Sequence, residues 1–414
     1  MEKMEMKQET PPVLKVLEAL KQACRDLEAN PSLDSDDSNS SAIKALLELE
    51  TESDTILSKD PNLSTLSQLL ARLKTLVQTL QSSRARHGLA SFLTRRVSTH
   101  SLSRVAAAIG SEIQAWIDRE SVGALTRALR DPFEDEDEDE LARLLTQFED
   151  RVSVGFDREL QDLVLKSKLF SSLESILCNP SSSSRRIREH SAMAIAGLIR
   201  FNKDVFVGQV LMGPTIKALV TMASARSIGV LCSLIRSIKS PLVDEIESNG
   251  QIPKIMGLLS SQDLAIRVLA FDCVLEIGYF GRKEAIDAML EEDLIRKLVE
   301  LQRSELDGDL IDLGQFENED GDDGDEDNRE MSVGGVQVKK TERRRRREEK
   351  GFLESHPFAS CVARFAVQLE VGEGLRQRER RAFKQQILVR VREASVSDAE
   401  AATIVAEVLW GSSP

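Results

Sequence analysis

The stretch Ser191-Ala-Met-Ala-Ile-Ala-Gly-Leu198 has two counterparts further along the chain, Leu231-Cys-Ser-Leu-Ile-Arg-Ser-Ile238 and Ala270-Phe-Asp-Cys-Val-Leu-Glu-Ile277. The last apolar residues of the three stretches are separated by 40 and 39 residues. Apolar residues three and four apart within each stretch indicate one buried face of a helix. Helical units that repeat at this period predict an α-solenoid, in which stacked units share one core.

The composition agrees with helix packing and limits the class of partner. Of 414 residues, 41% are apolar and only 4% are aromatic, which favours aliphatic helix packing over a β-sandwich or barrel. The formal net charge is −14, so nucleic acid and anionic membranes are not expected as partners. A run of about 18 apolar residues does not occur, so no membrane span is expected. The N-terminal residues do not form an apolar segment, so no leader peptide is expected.

Five cysteines lie at positions 24, 178, 232, 273 and 361, and no C-x-x-C pair occurs. An odd number of widely spaced cysteines within apolar, helix-like stretches predicts reduced, buried thiols. We therefore expect an intracellular protein, located in the cytoplasm, in the nucleus or in both.

Residues 1–130 predict an N-terminal helical bundle in which each helix has one apolar stripe. Helical segments are expected at 11–29, 42–57, 63–80, 89–97 and 102–129. Residues 131–158 are expected to be an acidic linker with a short helix. Within this segment, Glu134–Glu140 is an unbroken run of acids that repel one another, so a solvated loop is expected there.

Residues 159–303 carry the repeats. Each unit is expected to contain a short helix, a turn and a longer helix pair, with small or polar residues at the joins. These joins are Asn179–Ser184, Gly213–Pro214, Ser248–Gly250 and Glu291–Asp293. After the third join the chain reads Gly250-Gln-Ile-Pro-Lys-Ile-Met-Gly-Leu-Leu259 and continues to the stretch that ends at Ile277.

These residues resemble the armadillo repeat, whose pattern opens with G-x-I-P-x-L-V-x-L-L and has a third helix of the form A-x-x-A-L-x-x-L. The resemblance implies an armadillo-type solenoid. With its helical N-terminal region, the chain resembles plant armadillo proteins, including the helical and armadillo portions of plant U-box ubiquitin ligases. The segment between residues 130 and 160 is too short to hold a U-box, so ligase activity is not implied.

The fourth repeat is expected to be interrupted. Its third helix is expected at Ser360–Val367, later than the period requires. Residues 304–355 predict a disordered insertion, because an acid-rich run is followed by a basic block and apolar residues are few. Residues 356–414 predict the C-terminal repeat and capping helices, with Ser397 and Glu400 as a capping box.

The sequence predicts no enzyme, cofactor, metal site or small-molecule substrate. The four histidines lie outside known metal-binding settings, and the phosphate-loop, G-x-G-x-x-G and G-x-S-x-G motifs do not occur. The acids and glycines of Asp320–Asp327 do not follow the spacing of a calcium loop.

A basic block within the insertion is a candidate nuclear import signal. It comprises Lys339, Lys340, Arg343, Arg344, Arg345, Arg346 and Arg347. Two alternatives are contact with phosphates and pairing with the acidic run that precedes the block.

Candidate partner-binding residues lie on the predicted third helices. Armadillo domains that hold extended peptides often carry an Asn at one position of this helix, because an amide both donates and accepts hydrogen bonds. The matching positions hold Gly197, Ser237, Glu276 and Ala366, so an importin-like grip on basic peptides is not expected. Arg236 and Glu276 are the candidates for partner contacts, and the alternative is that both are ordinary solvent-facing residues.

Three serines match kinase target patterns. Ser98 follows Arg95-Arg96-Val97, as basophilic kinases require, and Ser35 and Ser38 lie in an acidic stretch. Phosphorylation would add negative charge to predicted loops or helix ends.

Together these features predict a non-catalytic scaffold or adaptor whose solenoid surface binds a protein partner. The armadillo resemblance supports a second hypothesis, an accessory factor in ubiquitin transfer or Hsp70 nucleotide exchange, since armadillo-like folds serve both. The identity of the partner is not encoded in any motif of the chain.

Overall fold

The structure is a computed structural model that describes residues 21–28, 64–84, 89–130, 138–181, 183–313 and 355–410. Residues 21–28 are helical. The helices that follow are α1 Ser64–Arg84, α2 Leu89–Ala128, α3 Glu138–Ser153, α4 Arg158–Ser167, α5 Leu169–Cys178, α6 Arg185–Phe201, α7 Lys203–Met212, α8 Thr215–Met222, α9 Ala225–Ile238, α10 Ser240–Ser248, α11 Ile252–Leu258, α12 Leu264–Phe280, α13 Lys283–Glu291, α14 Leu294–Leu313, α15 Cys361–Val371, α16 Gln377–Ala394 and α17 Asp398–Trp410.

The described residues form two compact units, and the predicted all-α fold is confirmed. The first unit is the N-terminal bundle, in which α1 and α4 pack on α2. Its core consists of apolar residues from residues 21–28, α1 and α2, namely Cys24, Leu27, Leu66, Leu70, Leu73, Val77, Leu102, Ala106, Ile109 and Ile113. Of the apolar residues predicted to share one stripe of α1, Leu66, Leu70, Leu73 and Val77 lie in this core, and Leu69 is partly buried against it.

The N-terminal bundle contains one long helix, α2, where the sequence predicts two shorter ones. The sequence predicts separate helices at 89–97 and 102–129, but α2 is continuous over 40 residues. No Gly or Pro lies between the two predicted segments, so nothing forces the backbone out of the helical conformation there.

The acidic segment before the repeats is also more ordered than its composition predicts. The short helix expected within residues 131–158 is the 16-residue helix α3, which packs on α6 in the second compact unit. Glu138, Asp139 and Glu140 were expected in a solvated loop but occupy the first turn of α3. The helix macrodipole favours negative charge at this end. Residues 157–172 group with the first unit.

The second compact unit is built from three-helix repeats: α7 to α9, α10 to α12, and α13 to α15. Each third helix packs beside the next, so α6 contacts α9, α9 contacts α12, and α12 contacts α15. Leu198, Ile238 and Ile277, which end the three repeated stretches, are 0%, 4% and 0% exposed. Stacked three-helix units with one buried spine make this unit an armadillo-type α-solenoid.

The predicted joins lie between these helices. Gly213 and Pro214 separate α7 from α8, and Gly250 lies between α10 and α11. Gly250 has φ +59°, in the left-handed region that favours glycine. Asp293, between α13 and α14, adopts φ +56° without being a glycine.

The C-terminal part of the solenoid contains the interrupted repeat. Helix α14 continues to Leu313, past the insertion boundary predicted at residue 304. Helix α15 lies beside α12, where the third helix of the interrupted repeat is expected. Residues 314–354 lie outside the described ranges, so the division of the chain into five segments stays a prediction.

Two final helices close the stack. Helix α16 packs on α14 and α15, and α17 packs on α15 and α16. At the start of α17, Ser397 Oγ accepts a hydrogen bond from Glu400 N at 3.2 Å, as the predicted capping box requires. The Glu400 carboxylate accepts from Val396 N at 2.8 Å, one residue before the position that the motif predicts.

Within the described ranges, no single helix is both long and apolar enough to cross a bilayer. Helices α7 and α8, which meet at a 70° bend, reach the required length and hydropathy only as a pair. Phe206, Val210, Ile216 and Leu219 of this pair are buried in the repeat core.

Candidate functional site

The exposed side of the third helices forms the surface that we call the ladder face. It lies on α6, α9, α12 and α15, with α3 beside α6, and its charged or polar side chains are Glu149, Arg200, Ser233, Arg236, Asp272, Glu276 and Arg364. These side chains stand three or four residues apart along their helices or face one another between helices, so they make one stripe across the repeats.

The two candidate residues from the sequence meet at the centre of the ladder face. Arg236 Nε on α9 donates a hydrogen bond to Glu276 Oε1 on α12 at 2.6 Å. The Arg236 side chain is 55% exposed and that of Glu276 is 21% exposed. The hydrogen bond from Arg236 to Glu276 is the main reason that the pKa of Arg236 is raised. A pair this exposed contributes at most about 1 kcal/mol to stability, so either partner can be exchanged for an outside group.

Asp272 lies one turn before Glu276 on α12, on the same face. Burial raises the pKa of the Asp272 carboxyl, and the charges of Arg236 and Arg364 oppose that shift. Arg364 is held in place on α15, because its Nη1 donates to the Pro357 carbonyl at 2.6 Å and its guanidinium lies 4.8 Å from the centre of the Phe271 ring. Burial lowers the pKa of Arg364.

At the other end of the ladder face, Arg200 links three helices. Its Nη2 lies 3.6 Å from Glu149 Oε1 on α3, and its Nη1 donates to Ser233 Oγ on α9 at 3.4 Å. Burial raises the pKa of Glu149, and the charge of Arg200 acts in the opposite direction. The charged groups of the face therefore have protein partners from one repeat to the next.

The four positions that match the peptide-binding Asn of other armadillo domains differ in environment. Gly197 lies under α3, where an added Cβ would be 3.0 Å from Val152 Cγ2. Ser237 donates its hydroxyl to the Ser233 carbonyl at 2.8 Å, and Ala366 is buried. Only Glu276 presents a charged group, so the face is suited to exchange of ion pairs rather than to an amide ladder.

The other predicted sites lie elsewhere or outside the described ranges. Ser98 falls within α2, but its side chain is not described. Ser35, Ser38 and the basic block Lys339–Arg347 lie outside the described residues. All five cysteines are free thiols, of which four are buried and Cys178 is half-buried. The described residues contain no group of three or more His, Cys, Asp or Glu side chains that could hold a metal ion.

Sequence reasoning missed five members of the face, namely Glu149, Arg200, Ser233, Asp272 and Arg364. Three of them carried a usable signal, because spacings of three or four residues place side chains on one side of a helix. Arg200 follows Gly197 by three residues, Ser233 precedes Arg236 by three, and Asp272 precedes Glu276 by four. Arg364 does not stand at that spacing from Ala366.

No known protein family matches the chain, and no curated protein gives a significant match. Among solved structures, the designed armadillo repeat protein YIII(Dq)4CqI matches with 14% identity and a TM-score of 0.40, over 69% of this chain and 99% of that chain. A designed armadillo repeat protein in complex with the peptide (KR)4 matches with 15% identity and a TM-score of 0.39, over 70% of this chain and 98% of that chain. An engineered protein matches with 15% identity and a TM-score of 0.39, over 97% of this chain and 99% of that chain. At these scores the fold assignment rests on the helix stacking described above.

Proposed function

We propose that this chain is a non-catalytic scaffold that binds an extended segment of a protein partner along the ladder face. The observation that carries the proposal is the side-by-side stacking of α6, α9, α12 and α15, which leaves one exposed stripe across several repeats. A stripe of this kind offers successive contact points to an elongated ligand.

The platform beneath the ladder face is close-packed. On the opposite side of the third helices, Ile195, Leu231, Ile235 and Val274 are completely buried. Helices held in this way do not have to be ordered when a partner binds, so the entropic cost falls mainly on the partner segment.

The chemistry of the face favours a partner with mixed character. Near the centre, Arg236 supplies an exposed positive charge and Glu276 a half-buried negative charge, and either can form a new pair with the partner. At the α15 end, Val367 and Val371 are exposed apolar side chains. A segment that combines charged side chains with a short apolar stretch would match this order of contacts.

A charge swap on the face tests the proposal. The double variant Arg236→Glu with Glu276→Arg keeps the ion pair, and therefore the fold, but reverses the field that a partner meets. The matched control swaps another inter-helix pair, Asp244 and Arg282, which lies off the ladder face with 3.4 Å between Oδ2 and Nη1. Proximity labelling in cells would compare wild type with both swaps, and each protein lost from the face variant would then be measured in a purified binding assay.

We expect the face swap to weaken partner binding by about tenfold or more, because like charges are brought together, and the control swap to leave it unchanged. If every labelled protein is retained by the face swap, the partner binds elsewhere. The same experiment tests the alternative role, since components of ubiquitin transfer or Hsp70 chaperones among the face-dependent proteins would support an accessory factor.

A further inference from the structure

The last helix of the solenoid has an apolar outer face. Ile404 and Val408 of α17 are buried against the stack. On the other side of the helix a second apolar stripe recurs at intervals of three and four residues, formed by Ala402, Val405, Ala406, Leu409 and Trp410. Trp410 is 82% exposed. A contiguous exposed apolar stripe of this kind marks a surface that binds another protein surface.

A groove runs between α17 and the end of α16. Its volume is about 750 Å³, and it is lined by Arg392, the loop Ser395–Ser397, and α17 from Asp398 to Trp410. Val396, at the rim, is 78% exposed. The side chains that line the groove are small at Ala401 and Ala402 and large at Trp410. The groove is therefore deeper at its alanine end, and the Trp410 ring protrudes at the other end.

The groove also carries one charge of each sign. Arg392 and Asp398 are both exposed, and neither forms a hydrogen bond or an ion pair with any of the described residues. A surface with one unpaired base and one unpaired acid complements a copy of itself, because each charge finds its opposite on the other copy.

We propose that this α17 face binds the same face of a second copy of this chain across a two-fold axis. In this arrangement the two α17 helices run antiparallel, and Trp410 of each copy enters the small-residue end of the other groove. Arg392 of each copy pairs with Asp398 of the other. Such an isologous contact buries both apolar stripes at once and leaves the ladder face of each copy open. The proposal is independent of the proposed function, since α17 is not part of the ladder face.

The first test measures self-association of the full chain by sedimentation equilibrium. Trp410→Glu removes an aromatic anchor from both copies at once and is expected to weaken dimerisation by at least about 30-fold. Met212→Glu is the control, because Met212 is 92% exposed in the same compact unit but lies on α7, far along the chain from α17. Circular dichroism checks the fold of both variants, and their helicity is expected to be unchanged.

The second test is a charge cycle. Arg392→Asp alone places acid against acid at two points of the two-fold contact, and Asp398→Arg alone places base against base, so each single variant is expected to weaken the dimer. The double variant restores both pairs and is expected to regain most of the affinity. A wild-type chain that is monomeric at every soluble concentration overturns the proposal. A dimer that responds neither to Trp410→Glu nor to the charge cycle shows that copies associate through another surface, which also overturns it.

Discussion

At the scale of single residues, the third helices approach one another where a side chain is missing. A Cβ at Gly278 of α12 would be 3.0 Å from Cε2 and 3.3 Å from Cδ2 of Phe365 on α15. Phe365 is completely buried, so a shift of its ring must displace other core side chains. Gly278 therefore sets the distance between the third helices of the last two repeats.

We expect Gly278→Ala to lower the free energy of unfolding by about 1–3 kcal/mol, because the added methyl overpacks a closed core. The matched control is Gly208→Ala in α7, where an added Cβ meets nothing within 4 Å. There the better helix propensity of alanine is expected to raise stability by about 0.5–1 kcal/mol.

Urea denaturation followed by circular dichroism measures both changes. An alanine at 278 that leaves the unfolding free energy unaltered or raises it would show that Phe365 moves aside, and that α12 and α15 are less tightly packed than their geometry indicates.

Residue patterns predicted burial well and pairing poorly. The apolar ends at Leu198, Ile238 and Ile277 followed from helical periodicity alone, because periodicity reports which side of a helix is apolar. The bond between Arg236 and Glu276 did not follow, because it depends on the register between two helices. The register between α9 and α12 is set by contacts such as that of Cys273 Sγ with the Ile228 carbonyl, 3.7 Å apart, which no pattern within one helix contains.

At the scale of elements, a bidentate ion pair between Arg303 and Glu400 joins α14 to α17. Arg303 Nε donates to Glu400 Oε1 at 2.8 Å and Arg303 Nη2 donates to Glu400 Oε2 at 3.0 Å. Both side chains are partly buried, and the hydrogen bonds from Arg303 are the main reason that the pKa of Glu400 is lowered.

We expect Glu400→Gln to lower stability at neutral pH by about 1–3 kcal/mol, the range for hydrogen bonds to charged groups. The folded pKa of Glu400 lies below the ordinary value of 4.5. The unfolded chain therefore binds the proton first as the pH falls. The contribution of Glu400 is complete above pH 4.5 and is lost as the pH falls through its folded pKa.

Thermal melts of wild type and Glu400→Gln between neutral and acidic pH provide the measurement, and the difference between them is expected to shrink below pH 4.5. Arg296→Ala removes an exposed pair with Glu300 on the same α14 and serves as the control, with an expected change below about 1 kcal/mol. A constant difference between wild type and Glu400→Gln at every pH would mean that Glu400 acts through packing instead of charge.

Elements were predictable where apolar spacing was the main signal. The short helix expected within residues 131–158 was found, and Leu141, Leu145, Phe148 and Val152 are buried at helical spacing. Its first turn was missed because the acidic residues there suggested a loop. The split predicted within α2 failed because a polar stretch without Gly or Pro does not by itself end a helix.

At the scale of the whole molecule, the solenoid follows from one number, the repeat period. The period predicts that each helix touches mainly its neighbours, so stability is expected to vary along the stack. It does not predict where the stack begins or ends. Helix α3 packs beside α6, and α17 packs on α15 and α16; both placements depend on side chains outside the repeated stretches.

Local contacts of this kind predict a gradient of amide hydrogen exchange within the second compact unit. Helices α9 and α12 have a third helix on both sides and are expected to exchange slowest, whereas α17 is packed on one side only and is expected to exchange fastest. The measurement uses mass spectrometry on the Trp410→Glu variant, so that self-association does not protect α17.

Adding Gly278→Ala is expected to speed exchange in α12 and α15 and to leave α7 unchanged. Uniform protection from α6 to α17 would instead show that the unit opens as one cooperative block, and the nearest-neighbour description of this solenoid would then be wrong.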